Sequence, residues 1–439
     1  MKFLYRHAPA FPLTQVVAIF PRGGVCLDPA NRQGLTRLTA RMLFTGADGL
    51  DHNEYHSRLE RLGANAGSTL ASDHVTLRLV TLTGNLDAAL GLFLAALRKP
   101  NLEPSEFKRL REELHSTWIS DREEHKSQRV QDIYLQRIYD DGPTGYQADG
   151  TEAGILGSTI DDVRAQYGRL FGHGEPILGV LSDLSREAIE RRVLARMPVF
   201  SASVNGKPYP WDAFRPERPK GRHVTIIADA HTQTDELQAG AFSASEGDAD
   251  WHIHRLIALI FGGDMNSRLF RVIRGERGFS YGASCWYESA HGRSPRDRVS
   301  PFTLYTFPTV EHTGEALPLL VRMYEEFVEA GVDEAELNRA KEALIHSHAF
   351  LRDTPQKLLS LDCDEALYDI PFDDVETNRR KIAAVTSGDV LRVLRGSHHP
   401  ESLTLVLLGD PKRLEPAARA IPNVAGIDVI EYPPPPAGA

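Results

Sequence analysis

Three cysteines in 439 residues, Cys26, Cys285 and Cys363, are few, odd in number and far apart. That excludes a disulfide framework or a zinc knuckle and fits buried thiols in a reducing compartment, so the cytoplasm is the expected location. No run approaches the ~20 apolar residues of a membrane-spanning helix. Met1-Lys2-Phe3-Leu4-Tyr5-Arg6-His7 reaches charge, and then proline, before a signal-peptide apolar core can form, and no such peptide is expected. There is no basic excess either. The formal net charge is -10 with both signs interspersed, which argues against nucleic acid, whose phosphates call for a basic face. What is present is the composition of an ordinary globular chain. At this length two or more domains are expected, because single cores stop growing near ~250–300 residues.

The chain repeats itself. Asn101 to Leu114 lies over Gly331 to Leu344, and Glu106, Arg109, Glu112 and Leu114 recur as Glu336, Arg339, Glu342 and Leu344. Thr159-Ile-Asp-Asp-Val163 matches Thr386-Ser-Gly-Asp-Val390, and each is followed by a strand with a polar stop, Ile177–Asp183 and Leu403–Asp410. Three matches in the same order point to duplication.

In the first copy, Val16–Phe20 reads as a strand, Gly34–Phe44 as a helix, and His52–Leu62 as a helix closed by Gly63. Thr69–Thr81 alternates as one strand, and Leu86–Lys99 and Pro104–Gln128 are amphipathic helices, with Asn85 as the cap of the former. The second copy repeats this with Val224–Ala228, Ala249–Phe261, Ser267–Arg274, Phe279–Tyr287, Phe302–Phe307, Glu315–Ala330 and Glu334–His348. Strands mixed with long helices imply an α+β layer sandwich. The expected division is an N-terminal repeat over 1–205, a proline- and glycine-rich linker over 206–222, a C-terminal repeat over 223–430 and an inert proline-rich tail over 431–439.

Two segments carry chemistry. The inverted zinc-peptidase signature needs His-x-x-Glu-His on one helical face. Here Arg37, Ala40 and Arg41 hold those places, and a guanidinium has no lone pair and repels a cation. The second runs Gly262-Gly263-Asp-Met-Asn-Ser267-Arg268-Leu269-Phe270 to Arg274, then Gly278-Phe279-Ser280-Tyr281. With the strand ending Gly23-Gly24-x-x-x-Asp28 and the helix ending Met42 to Gly46, these segments resemble the pitrilysin/insulinase clan, in its small-subunit branch. That branch holds mitochondrial processing peptidase and bacterial heterodimeric peptidases. The likeness spans about Val16 to Asp410.

The resemblance implies half of a clamshell, built as two tandem α/β-sandwich repeats with mixed sheets against long helices. It implies that Arg274 and Tyr281 reach a bound peptide, converged by a turn through Gly275 and Gly278. Aimed at a carbonyl that becomes an oxyanion, such donors act in the transition state. It implies an edge strand at Asn65, Ala66 and Ser68 that pairs with extended substrate. The family's third zinc ligand would fall at Thr117 or Trp118, neither a ligand, while Glu112 and Glu113 read as a solvated face. No zinc is therefore expected in this chain.

Other histidines read blandly. His52 and His56 share a helical face, but His-x-Glu-x-His is no hydrolytic pattern. His252/His254, His346/His348 and His398/His399 read as surface or core residues. Gly262-Gly263 lacks the lysine and hydroxyl of a phosphate loop.

The resemblance implies a subunit inactive alone, partner of a homologous zinc-bearing chain in a heterodimeric metalloendopeptidase acting on peptides. The alternative is a catalytically inactive scaffold or peptide-binding homologue.

Overall fold

The computed structural model describes residues 1–21, 23–140, 142–172, 176–198, 219–288 and 299–432. Two sheets organise it. The first runs β1 (Lys2–His7), β5 (Ile177–Ser182), β2 (Leu13–Phe20), β4 (Val75–Leu82) and β3 (Asn65–Leu70) across its width. The second runs β11 (Val424–Ile430), β6 (Arg222–Ala228), β10 (Thr404–Gly409), β7 (Glu236–Ala244), β9 (Ser300–Pro308) and β8 (Ser280–Tyr287). The series β1-β5-β2-β4-β3 and β6-β10-β7-β9-β8 match position for position. They also match in direction: β1–β5 and β6–β10 are parallel, and the other shared pairings are antiparallel. β11 is an extra strand, parallel to β6. The α+β duplication is thus present in the topology. Its short sequence match at Thr159 and Thr386 is a pair of capping boxes, each Thr bonded reciprocally to the Asp three residues on.

Several boundaries differ from the sequence reading. Val16–Phe20 has β7 as its counterpart, whereas Val224–Ala228 corresponds to β1. Both β1 and β7 escape the pattern, because β1 is a charged edge strand and β7 is rich in Ala and Gly, which carry little strand signal. Thr69–Thr81 is not one strand but the hairpin β3–β4, turning where Ala71 N donates to His74 O. Pro104–Gln128 breaks at His125, an extended residue between α4 (Pro104–Glu124) and α5 (Lys126–Ile138). Asn85 does not cap α3 (Leu86–Arg98) through its side chain, which donates to Leu62 O instead. The linker lies largely outside the described residues, and Arg222, its last residue, already begins β6. Residues 433–439 of the tail also lie outside them. Tyr432 is not a frayed end, for its ring stacks on Trp118 and its hydroxyl donates to Asp132 at 2.9 Å.

Each repeat lends a helix to the other. From α5, Val130, Ile133, Tyr134 and Ile138 pack on Ile227, Phe242, Val406 and Leu408 of the second sheet. The equivalent helix of the second repeat, Pro355–Tyr368, lays Leu359, Cys363 and Leu367 on Ile19, Ile177 and Leu181 of the first. A glycine makes each fit possible. A Cβ at Gly240 would stand 2.0 Å from Tyr134 Oη and 2.8 Å from Phe302 O, and one at Gly179 would stand 2.8 Å from Cys363 Sγ. Gly240→Ala should therefore cost about 1–3 kcal/mol or more by overpacking, read as a lower urea midpoint. An unchanged midpoint would mean that α5 can slide without loss.

The core also holds a buried chain of polar groups. His254 Nδ1 and Tyr287 Oη lie 2.8 Å apart, Tyr287 Oη and His398 Nε2 3.0 Å, and Tyr324 Oη and His398 Nδ1 2.8 Å. Burial lowers His254 to about 4 and holds His398 well below the usual value of 6.5. The unfolded chain therefore protonates first as pH falls. Stability is complete above pH ~6.5 and is lost toward pH 4, at about 1.4 kcal/mol per pH unit for each histidine. Urea midpoints against pH should show this slope, and His254→Gln should flatten it; an equal slope in the variant would place the acid sensitivity elsewhere.

Candidate functional site

The site is assembled around α1 (Leu35–Met42). Asp28 is buried and accepts from Gly34 N at 2.8 Å, Thr36 N at 2.8 Å and Thr36 Oγ1 at 2.7 Å, gripping the start of this helix. The strand end that delivers Asp28 runs against the β3–β4 turn. A Cβ at Gly24 would lie 1.9 Å from Ala71 O, so only glycine fits there. These contacts explain the Gly-Gly-x-x-x-Asp pattern: it seats α1 at a fixed angle beside β3.

Seated this way, α1 turns Arg37 and Arg41 into a cleft of about 720 Å³. Ala40 points into the core and is fully buried. Arg37 Nη1 is ion-paired with Asp149, and Arg41 Nη2 donates to Glu113 at 2.7 Å. From α4, Arg109 donates to Glu106 at 2.8 and 3.0 Å and to Glu113 at 3.1 Å. The Arg41 hydrogen bond holds the Glu113 carboxyl below its usual value against some desolvation. Glu113 is thus more than part of a solvated face: it is the α4 carboxylate that meets α1. Trp118, at the counted third-ligand place, is instead a core residue. Its indole donates to Gly150 O at 3.2 Å and lies under the guanidinium of buried Arg122.

No zinc fits these residues. Of the signature positions, the two that face the cleft, Arg37 and Arg41, are cations with no lone pair. Among the described residues, no group of three or more His, Cys, Asp or Glu is placed to hold a metal ion. His52 and His56 on α2 (His52–Arg61) face the cleft with ring centroids 4.5 Å apart. Burial, aided by His56, lowers the His52 pKa. His56 Nε2 is within 3.0 Å of Phe44 O, so its ring is engaged by backbone.

The opposite wall is the edge strand β3. Ala66, Gly67, Ser68, Thr69 and Leu70 line the cleft, and Asn65 does not. Among the described residues β3 pairs with β4 alone, so its outer edge is open.

Arg274 and Tyr281 form a second cluster. Arg268 anchors their segment, donating to Glu336 at 2.8 and 2.6 Å and to Gly331 O at 2.9 Å, with its guanidinium over Phe327. The chain then follows a π-type turn, Phe270–Glu276, and reverses at Gly278, whose φ of +65° suits glycine. Gly275 needs no such conformation. The reversal brings the Arg274 guanidinium 4.2 Å over the Tyr281 ring. Tyr281 is 75% exposed on edge strand β8. Among the described residues Arg274 has no carboxylate partner. Neither residue lines the cleft. The structural role of Arg268 was not singled out in the sequence; its complement, Glu336, did stand out as a repeat position.

Comparison with known proteins agrees with this architecture. A model described as insulinase (peptidase family M16) matches residues 14–152, and one described as the peptidase M16 inactive domain matches 158–344. The "non-peptidase homolog YmxG" of Helicobacter pylori is 20% identical over 412 residues, covering 93% of this chain and 92% of that one. The crystal structure of a peptidase M16 inactive domain from Pseudomonas fluorescens superposes with a TM-score of 0.79 at 22% identity, over 93% of this chain and 95% of the other. The periplasmic protease PqqL of Escherichia coli matches with a TM-score of 0.73 at 14% identity, over 95% of this chain but 47% of that one. The duplicated sheets, the seated α1 and the matched segments lead to one conclusion: the chain belongs to the insulinase (M16) peptidase family, as a member without the zinc ligands of its signature helix.

Proposed function

We propose that this chain is the metal-free half of a two-chain peptidase, completed by a homologous subunit that carries the zinc. Arg274 and Tyr281 would donate to the peptide carbonyl oxygen as it gains charge, and β3, with Asn65, Ala66 and Ser68, would hold the substrate extended. The observation that carries this reading is the Arg274–Tyr281 pair. A guanidinium stacked on an exposed tyrosine, with no carboxylate to neutralise it among the described residues, leaves its donors unspent for a ligand. The match of 95% of this chain to 47% of PqqL also supports a half-sized unit that works with another. The three buried, unpaired cysteines support a cytoplasmic setting.

Reconstitution tests it. The chain mixed with a zinc-bearing homologue from the same cell should co-elute and cleave unfolded peptide, which this chain alone should not do. A chain that stays apart, or a complex that is inert, would reject the reading. A non-hydrolytic peptide-binding role is the second reading. The relative called a non-peptidase homologue favours it, and it predicts peptide bound and recovered uncut.

A further inference from the structure

We propose that the cleft left by the lost zinc ligands is a carboxylate-binding site that captures an extended peptide by an acidic group. The inference rests on the reading of β3 as the strand that pairs with peptide. Three features converge. First, five consecutive residues of β3, Ala66 to Leu70, line the cleft along an edge with no neighbouring strand among the described residues. Such an edge accepts an extended backbone and fixes its direction.

Second, Arg37 and Arg41 stand four residues apart on α1, so their side chains rise from one face about 5–6 Å apart. Both line the same cleft. Each guanidinium has five N–H donors and no acceptor. Arg37 commits one to Asp149 and Arg41 one to Glu113, leaving four on each without a partner among the described residues. Third, the lining carries three guanidiniums, of Arg37, Arg41 and Arg109, against the two carboxylates of Glu113 and Asp149. Arg109 already gives three of its donors to Glu106 and Glu113, so most of the capacity left over belongs to Arg37 and Arg41.

A peptide carbonyl could take one of these donors. A carboxylate takes several and forms the stronger, charge-assisted bonds, bidentate where the planes align. Where an active relative would polarise a carbonyl for attack, this cleft offers a cationic fork that holds an acid and cannot cut. The carboxylate could be a peptide's C-terminus or an Asp or Glu side chain.

Fluorescence anisotropy on the full chain separates the cases. The probe is a short peptide carrying an uncharged BODIPY dye and no other charge, with a free C-terminal carboxylate, with an amidated C-terminus, or amidated with one internal Glu. The free-acid form should bind at least about tenfold more tightly than the plain amide. Equal affinity of the Glu-bearing amide would identify side-chain acids as ligands too. Arg37→Gln with Arg41→Gln should abolish the difference while weak amide binding persists. Neither change strands a carboxylate, because Asp149 keeps Arg122 nearby at 3.6 Å and Glu113 keeps Arg109. Single Arg41→Gln gives the same readout should the double variant misfold. Equal binding of all three peptides to the unmodified chain would overturn the inference and leave peptide binding at β3 intact. Binding of none would overturn both.

Discussion

Arg274→Ala should lower the kcat/KM of the proposed two-chain peptidase by about 10²–10³-fold, the scale for deleting one oxyanion donor. The loss should fall on kcat, with KM little changed, because the carbonyl oxygen carries full charge only in the transition state. Folding should survive. Arg274 rests on Tyr281 and Phe270 at 4.2 and 4.8 Å and is paired with no carboxylate among the described residues, so its removal leaves no uncompensated charge. Tyr281→Phe then separates two roles for the ring. It keeps the platform beneath the guanidinium and deletes the hydroxyl. A comparable fall in kcat would make the phenol a donor, whereas wild-type turnover would make it a support. Co-elution of the two chains is the control. If Arg274→Ala turns over at the wild-type rate in an intact complex, the role assigned to this segment is wrong.

Asp28→Ala should destabilise the chain by about 3–5 kcal/mol, as expected for leaving several buried donors without an acceptor. The carboxylate is 5% exposed. It holds two backbone amides and a hydroxyl of the α1 start, and Gln166 Nε2 approaches it at 3.4 Å. No side chain of α1 can replace it, since Gly34, at the cap position, has none and adopts a φ of 104°. Asp28→Asn keeps one acceptor oxygen and should cost roughly half as much. Urea denaturation gives both numbers. Because α1 carries Arg37 and Arg41, any carboxylate-dependent binding should weaken in proportion. A stable Asp28→Ala chain would show that the helix is held by its apolar face alone, through Leu35, Leu38 and Met42.

Much of this molecule could be read before folding was considered. The duplication was legible because capping boxes and amphipathic helices are local: Thr159 needs only Asp162, and Thr386 only Asp389. The loss of metal binding was legible for a like reason, since an arginine cannot ligate a cation wherever the chain places it. The strands were harder. β7 is central and lined with small residues, so its strand character comes from neighbours on both sides and leaves little trace in its own alternation. β1 is a strand because β5 lies beside it. Glu113 looked like one more charge on an exposed helix face, and only the approach of α1 makes it the partner of Arg41.

By itself, the sequence determined the repeat, the mixed α+β class and the chemical incapacity of α1 to hold zinc, because each follows from residue type and near-neighbour spacing. The exchange of helices between the repeats and the arginine-floored cleft beside β3 were decided by tertiary structure. Those features depend on where distant segments meet: Gly24 against Ala71, Tyr134 over Gly240, Arg41 beside Glu113. Contacts across such separations are chosen by packing and burial summed over the whole chain, and no local pattern records them.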